Sequence, residues 1–337
     1  MRSHPLNGKN NAMGLDVGTS CIVTARPNGE EGYKFHSQLN AFVTIPYSKM
    51  TERVLEKEGV PHSVSGSQIV VHGNECERFA DLMDTEIRRP MTGGVLDAKE
   101  PESISMMKEI IGSLMEKNAQ EKPLVCFTVP ASSLESLDSL TYHEATVKQI
   151  LSQLGIENRA VNEGLAVVYA ELESTNYTGI GISCGGGLCN VCYSYLSVPV
   201  VTFSIPKAGD YIDANAASMT GERANRIRLA KEEGFHFNGF VSDKIQQVIS
   251  VYYDDMIKSL VAGLKEAFGG ARHMPKLTRP VPLVLSGGTA MPQGFRDRFE
   301  KIFNESHLPI QVSEVRMAAN PLEAAAKGAL VAALAEM

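Results

Sequence analysis

Two glycine turns with polar neighbours share one pattern, and each lies at the start of one half of the chain. Residues 14–20 read GLDVGTS and residues 181–187 read GISCGGG, so that Asp16 and Ser183 occupy matching positions. Glycines accept positive φ and let a ligand come close to the backbone, and successive N–H groups in such a turn form a concave anion site. Taken alone, the turn at residues 185–187 is more typical of an ordinary hairpin than of an anion site. The repetition predicts a duplicated fold that holds a phosphate group between its halves.

Two further turns carry polar groups or glycines directly after apolar segments. Asn162 and Glu163 follow one of these segments, and Gly287 and Gly288 follow another. In open α/β sheets, ligands bind beyond the carboxyl ends of the strands. The four turns together therefore predict one site for a phosphate-bearing ligand. The chain has no G-x-x-x-x-G-K-S/T segment, so this is not a P-loop site.

The elements that position these turns follow from the apolar pattern. Residues 124–129 form an apolar run bounded by prolines, which predicts a buried strand parallel to a neighbour. Residues 242–268 keep an apolar stripe at helical spacing, which predicts a long helix. Residues 33–45 read as one strand, residues 48–67 as a polar stretch and residues 88–97 as a loop. Hairpin strands followed by β-α-β-α in each half predict mixed sheets covered by helices, an α/β fold.

Composition limits the classes of function. The chain has 337 residues, which is enough for two domains, with 43% hydrophobic and 21% charged residues. The formal net charge of −7 argues against nucleic acid as a partner. No apolar run reaches the length of a membrane span, and residues 1–11 resemble neither a signal peptide nor an amphipathic anchor. A cytoplasmic protein without a membrane anchor is expected.

Three of the six cysteines have a spacing that some iron–sulfur proteins use. Cys184, Cys189 and Cys192 follow a C-x4-C-x2-C pattern. However, Cys189 and Cys192 lie at or in a predicted strand, where an odd spacing sends side chains to opposite faces. A fourth thiolate is not close in sequence. The pattern therefore favours reduced thiols in apolar strands over a metal cluster.

The order and spacing of the four turns resemble the nucleotide site of the actin, Hsp70 and sugar-kinase superfamily. Residues 89–97, which read RPMTGGVLD, are similar to the R-P-x-x-D-G-V-I-x-D segment of the bacterial actin-like MreB proteins, and GD at 209–210 and GER at 221–223 are similar to motifs of the same family. Other segments lean toward Hsp70, namely FTVPA at 127–131, NE at 162–163 and NPLEA at 320–324. The resemblance covers residues 13–337 and is closest to the MreB-like and MamK-like branch.

The resemblance implies a duplicated actin-like (ribonuclease-H-like) ATPase fold, with two domains around a nucleotide cleft. Domain I would span residues 13–173, with the C-terminal helix at 318–337 returning to it, and domain II would span residues 177–317. The alanine-rich segments 165–170 and 324–332 would be two crossing helices at the hinge.

The resemblance also implies that ATP or ADP binds with Mg²⁺ in the cleft. Asp16 would hold the metal through water, and Asn162 and Glu163 would link the domains and order water or metal. For Glu222 and Arg226, a solvated helix face is an almost equal alternative. The residues that would contact the nucleotide are Asp16, Gly18, Thr19, Ser20, Gly185, Gly186, Gly187, Glu222, Arg226, Gly287, Gly288 and Thr289.

The second glycine turn departs from the family pattern at three positions. Ser183 replaces an Asp before the glycines, Leu188 replaces a Thr after them, and Asn190 replaces a later acid. Phosphoryl transfer needs metal-ligand charge and a group that positions water. Backbone amides would still bind the phosphates. The departures therefore predict a slow ATPase with an altered second phosphate loop.

The residue that positions water is left open by the sequence. In the family it lies a few residues after the Val-Pro motif, but the segment 130–162 is several residues longer here than expected. Asp138, Tyr142 and Glu144 all fit that place, and Glu163 is a further catalytic candidate.

Three functions fit these observations. The first is an actin-like protein that binds Mg-ATP and forms filaments by self-association, with assembly controlled by the nucleotide. A trimmed outer subdomain between residues 223 and 287 would weaken filament contacts. The second is an Hsp70-like, non-polymerising switch that regulates a protein partner, since no peptide-binding domain follows in this sequence. The third, a sugar or acetate kinase, ranks lowest because no dedicated substrate pocket or catalytic base is evident.

Overall fold

The computed structural model describes residues 11–29, 32–115, 123–132, 138–237, 243–270, 275 and 279–337, with the backbone alone at 138–139. The strands in these ranges are β1 (Ala12–Val17), β2 (Cys21–Asn28), β3 (Gly32–Leu39), β4 (Phe42–Pro46), β5 (His62–Ser65), β6 (Gln68–His72), β7 (Met91–Thr92), β8 (Val95–Leu96), β9 (Leu124–Val129), β10 (Asn158–Asn162), β11 (Gly179–Cys184), β12 (Cys189–Tyr195), β13 (Val198–Ile205), β14 (Val281–Ser286) and β15 (Val312–Met317). The α-helices are α1 (Lys49–Glu58), α2 (Cys76–Met83), α3 (Ser103–Leu114), α4 (Asp138–Gln153), α5 (Glu163–Glu171), α6 (Gly209–Thr220), α7 (Ala224–Gly234), α8 (Lys244–Gly270), α9 (Phe295–Glu305) and α10 (Ala324–Glu336).

The first sheet has the strand order β10-β9-β1-β2-β3. β1 and β2 form the antiparallel hairpin predicted around Gly18. The apolar run 124–129 is β9, a largely buried strand parallel to both β1 and β10, as predicted. Because these three strands run in the same direction, Asp16, Thr128 and Asn162 lie at or near their carboxyl ends along one edge of the sheet.

The second sheet repeats this arrangement with the order β13-β12-β11-β14-β15. β11, β12 and β13 form an antiparallel meander, and β14 and β15 run parallel to β11. The meander β1-β2-β3 with β9 and β10 has the same topology in the first sheet, so the predicted duplication is confirmed. The glycine turn between β11 and β12 lies at the same edge of the second sheet as Gly287, which follows β14 directly.

A smaller sheet, ordered β4-β6-β5, is inserted after β3 and packs with α1 and α2 around its own core. Two sequence predictions were wrong here. Residues 33–45 form two strands in different sheets, since β3 pairs with β2 and β4 pairs with β6. Residues 48–67 include α1, which buries only Leu55 and so has a weak apolar signal. Its ends are fixed by Ser48, whose side chain accepts from Thr51 N, and by Gly59 in the left-handed conformation.

The segment before α3 differs from its prediction, whereas the long helix α8 agrees with it. Residues 88–97 were predicted as a loop but contain the short hairpin β7–β8, with Gly93 and Gly94 at φ 56° and 83° in its turn. The predicted long helix is α8, although its predicted first residue, Ser242, lies outside the described residues.

Two alanine-rich helices cross between the sheets. α5 packs against β11 and β12 of the second sheet, and α10 packs against β1 and β9 of the first. Glycines permit this close approach: a Cβ at Gly328 would lie 1.7 Å from Ala166 O, and one at Gly14 would lie 2.0 Å from Ala326 O. α10 therefore contacts the half that contains residues 13–173, although the domain boundaries themselves stay a prediction.

Each sheet has its own hydrophobic core, and a third apolar cluster around α5 and α10 joins them. α6, α8 and α9 cover the second sheet, and α3 and α4 cover the first. Among the helices that the structure describes, none combines the length and apolar character needed to cross a membrane.

Candidate functional site

The first glycine hairpin is fixed by bonds from neighbouring strands. The Thr128 hydroxyl donates to Asp16 Oδ1 at 2.7 Å and accepts from Val17 N at 3.0 Å. Asn40 Nδ2 donates to Gly18 O at 2.9 Å. Thr19 Oγ1 accepts from Gly94 N at 3.1 Å, so the β7–β8 turn is attached to this hairpin. These bonds hold the backbone between β1 and β2 in one conformation.

The second glycine hairpin lies against the first, tip to tip. A Cβ at Gly186 would be 2.4 Å from Ser20 Oγ, and a Cβ at Gly187 would be 2.5 Å from Thr19 Oγ1 and 2.2 Å from Gly94 N. Only glycine fits at such distances, which gives the glycine run a steric reason as well as a conformational one. The two hairpins that the sequence predicted to face each other therefore do so, across the boundary between the sheets.

The carbonyl groups of the second hairpin are held by the second half of the chain. Thr289 Oγ1 donates to Gly185 O at 2.7 Å, and Gly209 N donates to the same oxygen at 3.1 Å. Asp210 N donates to Gly186 O at 2.8 Å. Gly287 has φ 91°, and a Cβ there would lie 2.2 Å from Cys184 O. The Gly287–Thr289 turn thus packs under the base of the hairpin. Gly288 beside it is exposed.

A polar cluster lies between the sheets next to Asp16. Asn190 Nδ2 donates to Glu163 Oε2 at 2.7 Å, and Ser183 is hydrogen-bonded to the same carboxyl group. Burial is the main cause that raises the pKa of Asp16 to about 6, against the Thr128 bond, which lowers it. Burial, with the charge of Asp16, raises the pKa of Glu163 to about 8. Both carboxyl groups are therefore harder to ionise than exposed acids, since burial disfavours the charged form.

The three candidate catalytic carboxylates lie in different surroundings. Glu163 is in the cluster beside Asp16. Glu144 is paired with Lys148 at 2.5 Å on α4 and lines a separate cavity of about 420 Å³ with Pro130. The side chain of Asp138 lies outside the described part. Of the two described candidates, the structure places Glu163 next to the predicted metal ligand.

Glu222 and Arg226 pair with each other at 2.9 Å, and 68% of the Arg226 side chain is exposed. This geometry matches the solvated-surface alternative at least as well as a contact with ribose or adenine. Their role toward a nucleotide stays a prediction.

A cavity of about 420 Å³ opens between the halves beside the hairpins. Ser20 lines it, and two ion pairs cross it: Arg89 Nη1–Asp210 Oδ1 at 3.0 Å and Arg228 Nη2–Glu77 Oε1 at 2.6 Å. No role was predicted for these four residues from the sequence. Two of them lie in segments that resemble the MreB pattern, Arg89 as the first residue of RPMTGGVLD and Asp210 in the GD pair at 209–210.

A buried ion pair behind the second hairpin was also not predicted from the sequence. Lys231 Nζ lies 2.7 Å from Asp213 Oδ1 and donates to Gly209 O at 3.2 Å. Thr128 was missed as well. The Thr128 contact joins strands 112 positions apart in sequence, and the Lys231–Asp213 pair depends on how the consecutive helices α6 and α7 pack together.

The residues at the hairpins suit Mg²⁺ better than a soft metal. Mg²⁺ is usually bound by one or two carboxylates together with waters and phosphates, and the burial of Asp16 without a cation partner is consistent with such a site. Over the described ranges, no group of three or more His, Cys, Asp or Glu side chains could hold a metal ion. Cys184 and Cys189 face the hydrophobic core of the second sheet, whereas Cys192 faces the crossing helices α5 and α10, as strand alternation predicted.

Comparisons with known proteins agree with this architecture. The family model described as Volactin matches residues 11–333. A MamK structure, described as a double helical filament, is 18% identical, with 96% of this chain and 98% of that chain covered and a TM-score of 0.71. MreB5 of Spiroplasma citri bound to AMPPNP is 15% identical over 94% of this chain and 93% of that chain, with a TM-score of 0.66.

A third similar structure is the ethanolamine utilization protein EutJ from Carboxydothermus hydrogenoformans. It is 16% identical over 95% of this chain and 89% of that chain, with a TM-score of 0.54. No curated protein sequence matches the chain. At these identities the structural likenesses show the fold, which is the predicted actin-like α/β fold.

Proposed function

The chain belongs to the Volactin family, and from that premise we propose that it is an actin-like, Mg-ATP-binding protein that forms filaments under nucleotide control. One observation carries the proposal. The glycine hairpins of the two halves meet tip to tip at the edge where both sheets end, beside the half-buried carboxyl groups of Asp16 and Glu163. Backbone N–H groups at such turns bind phosphate, and a site made by both halves couples ligand binding to their relative position.

Nucleotide binding would use both hairpins and the turn behind the second. Residues 18–20 and 185–187 would bind the phosphates, and residues 287–289 would pack under the adenosine. Three structures of the similar proteins MamK and MreB5 contain a bound nucleotide, AMPPNP in two and ADP in one, which supports a nucleotide here. Because the hairpin tips touch, a phosphate between them requires the halves to separate slightly.

Asp16 would hold Mg²⁺, which when bound supplies positive charge next to the phosphates. A cation there also relieves the unfavourable burial of the carboxylate, since an opposite charge lowers the pKa of a buried acid. Thr128 orients Asp16 through the bond at 2.7 Å.

Hydrolysis would be slow. Ser183 and Asn190 replace two acids and are both engaged with Glu163, so they add no charge to a metal site. Leu188 packs against Gly94, where a Cβ would lie 2.3 Å from Leu188 Cδ1. This side chain therefore contributes to the contact between the second glycine hairpin and the β7–β8 turn. A weak ATPase suits a filament whose assembly depends on the bound nucleotide. The cytoplasmic location stays a prediction from the sequence.

Two measurements test the proposal. Calorimetry with ATP, ADP and GTP, each with and without Mg²⁺, should show Mg-dependent binding of ATP and ADP. Pelleting and negative-stain microscopy at tens of micromolar protein, roughly the range in which weak self-contacts show, should reveal polymers with Mg-ATP. Binding without polymers, together with nucleotide-dependent capture of one protein, would instead support the switch function. No binding of any nucleotide would refute both.

A further inference from the structure

Asn190 connects the second sheet to two separate parts of the first half. It lies on β12 and is 1% exposed. Its Nδ2 donates to Glu163 Oε2 at 2.7 Å, and its Oδ1 accepts from Ala131 N at 2.9 Å. Glu163 begins α5, and Ala131 lies two residues after the end of β9. One buried amide thus satisfies a carboxyl group and a backbone N–H on the opposite side of the boundary between the halves.

The same backbone segment is held by the neighbouring strand. Ser204 Oγ donates to Ala131 O at 3.0 Å, and Ser204 N donates to Ser132 O at 3.1 Å. Both polar groups of the Ala131 backbone therefore have partners on β12 or β13. Because Ala131 is 2% exposed, water cannot readily replace these bonds.

Only a side chain that both donates and accepts hydrogen bonds can make both contacts of position 190. An amide donates and accepts at once, whereas an ionised acid, the residue type that the family pattern has there, only accepts. An apolar side chain would leave Ala131 N–H and Glu163 without this partner, and buried unpaired groups are costly. Asn190 is therefore matched to Glu163 and to the segment after β9 together.

Asn190 is also close to the phosphate hairpin. Its register partner on β11 is Ser183, two residues before Gly185, and Ser183 is bonded to the same Glu163 carboxyl group. A shift of Asn190 therefore moves the base of the glycine turn as well as Glu163.

We propose that Asn190 is a positioning residue that couples the Ala131–Ser132 segment and Glu163 to the second glycine hairpin. Through these bonds, groups from both halves are held in one fixed arrangement at the site. The coupling between the halves follows from the contacts alone. Its effect on phosphoryl transfer rests on the proposed function.

The first test compares Asn190→Ala with Ser194→Ala. Ser194 lies on the same face of β12, is fully buried, and its hydroxyl has no partner, which makes it a matched control. In the nucleotide-free protein, hydrogen exchange at the Ala131 amide should be at least about tenfold faster in Asn190→Ala, given the usual strength of a buried bond. In Ser194→Ala it should stay within about twofold of the wild-type rate. Unchanged exchange in Asn190→Ala would overturn the proposal.

A second pair of variants covers the case in which Asn190→Ala does not fold. Asn190→Asp keeps the size of the side chain but sets an oxygen against Glu163 Oε2. At pH 9 this should speed exchange at the Ala131 amide severalfold. Glu163→Gln in the same chain returns a donor, so the Asn190→Asp, Glu163→Gln protein should recover protection. Failure of the double variant to recover, with both proteins folded, would contradict the proposal.

Kinetics separate the positioning role from the proposed function. In Asn190→Ala, the kcat for ATP should fall by roughly tenfold with KM within about threefold, since loss of transition-state orientation lowers kcat more than binding. Equal effects of Asn190→Ala and Ser194→Ala on kcat would refute a catalytic consequence. If the wild-type protein neither binds nor hydrolyses nucleotide, the proposed function fails, and the exchange measurements still decide whether Asn190 couples the halves.

Discussion

At the scale of single residues, the site is defined by the hydrogen bonds that its two carboxyl groups accept. Asp16 receives a hydrogen bond from Thr128, and Glu163 receives bonds from Asn190 and Ser183. Each donor is uncharged, so burial still raises the pKa of both acids. A cation near Asp16 would change this balance, which links metal binding to the protonation of the pair.

The raised pKa of Glu163 predicts a specific pH dependence of stability. Between the pKa of an unfolded Glu, near 4.3, and about 8 in the folded protein, the folded state binds more protons than the unfolded state. Wild-type stability should therefore fall as pH rises through this window. Glu163→Gln removes the titration and keeps an acceptor for Asn190. The variant should be more stable than wild type at pH 8.5, by up to about 5 kcal/mol at roughly 1.36 kcal/mol for each unit of the pKa shift, and the gap should close toward pH 4.5.

Denaturant unfolding at several pH values measures this difference. The exposed Glu157, paired with Arg159 at 3.0 Å, provides the control, since Glu157→Gln should change stability by less than about 1 kcal/mol at each pH. Parallel curves for wild type and Glu163→Gln would show that Glu163 titrates normally.

The sequence predicted some residues of this site and not others, for a physical reason. Asp16 and the glycine turns were found because each lies in a short local pattern with its own chemistry. Thr128 and the Arg89–Asp210 pair were missed because their partners lie 112 and 121 positions away. Such contacts depend on how the strands are ordered, which a local pattern does not record.

At the scale of elements, the crossing of α5 and α10 depends on glycine. The Cβ of an alanine at position 328 would lie 1.7 Å from Ala166 O, which is backbone and cannot turn aside. Gly328→Ala should therefore destabilise the fold by about 3 kcal/mol or more, through overpacking and displacement of one helix.

Gly112 on α3 is the matched control in a helix without such a neighbour. Nothing lies within 4 Å of the Cβ that an alanine would add there. Gly112→Ala should stabilise the protein by roughly 0.4–1 kcal/mol, by restricting the unfolded chain. Thermal or denaturant unfolding compares the two variants, and losses of similar size in both would refute the crossing-helix explanation.

Elements with a strong apolar pattern were predictable, and those fixed by caps or by sheet choice were not. The strand at 124–129 and the long helix α8 bury many apolar residues, so their periodicity is clear. α1 buries one leucine and is defined by Ser48 and Gly59 at its ends. The break between β3 and β4 arises because neighbouring residues join different sheets, which composition alone does not show.

At the scale of the whole molecule, two ion pairs join the halves across the cavity beside the hairpins. Arg89–Asp210 and Arg228–Glu77 both connect a residue before the second glycine hairpin with one after it. All four side chains are partly exposed, so added salt should weaken their attraction. These pairs are expected to slow the separation of the halves that nucleotide entry requires.

Removal of both acids tests this expectation. The double variant Asp210→Asn, Glu77→Gln should release a fluorescent ADP analogue severalfold faster than wild type, because each partly exposed pair contributes up to about 1 kcal/mol. Salt at 0.5 M, a concentration chosen to shorten the Debye length to a few ångströms (about 4 Å), should speed release from wild type and change the double variant little. Asp297→Asn, which breaks a surface pair with Arg296, serves as the control. A double variant with the wild-type rate and salt response would exclude a role for the two pairs.

Hydrogen exchange of the wild-type protein with and without Mg-ATP tests the central claim most directly. The claim is that both halves contribute backbone to a single phosphate site. The account predicts that Mg-ATP slows exchange at residues 18–20 and at residues 185–187 together, at the same ligand concentration. Slower exchange in one hairpin only, or binding detected by calorimetry with neither hairpin protected, would contradict it.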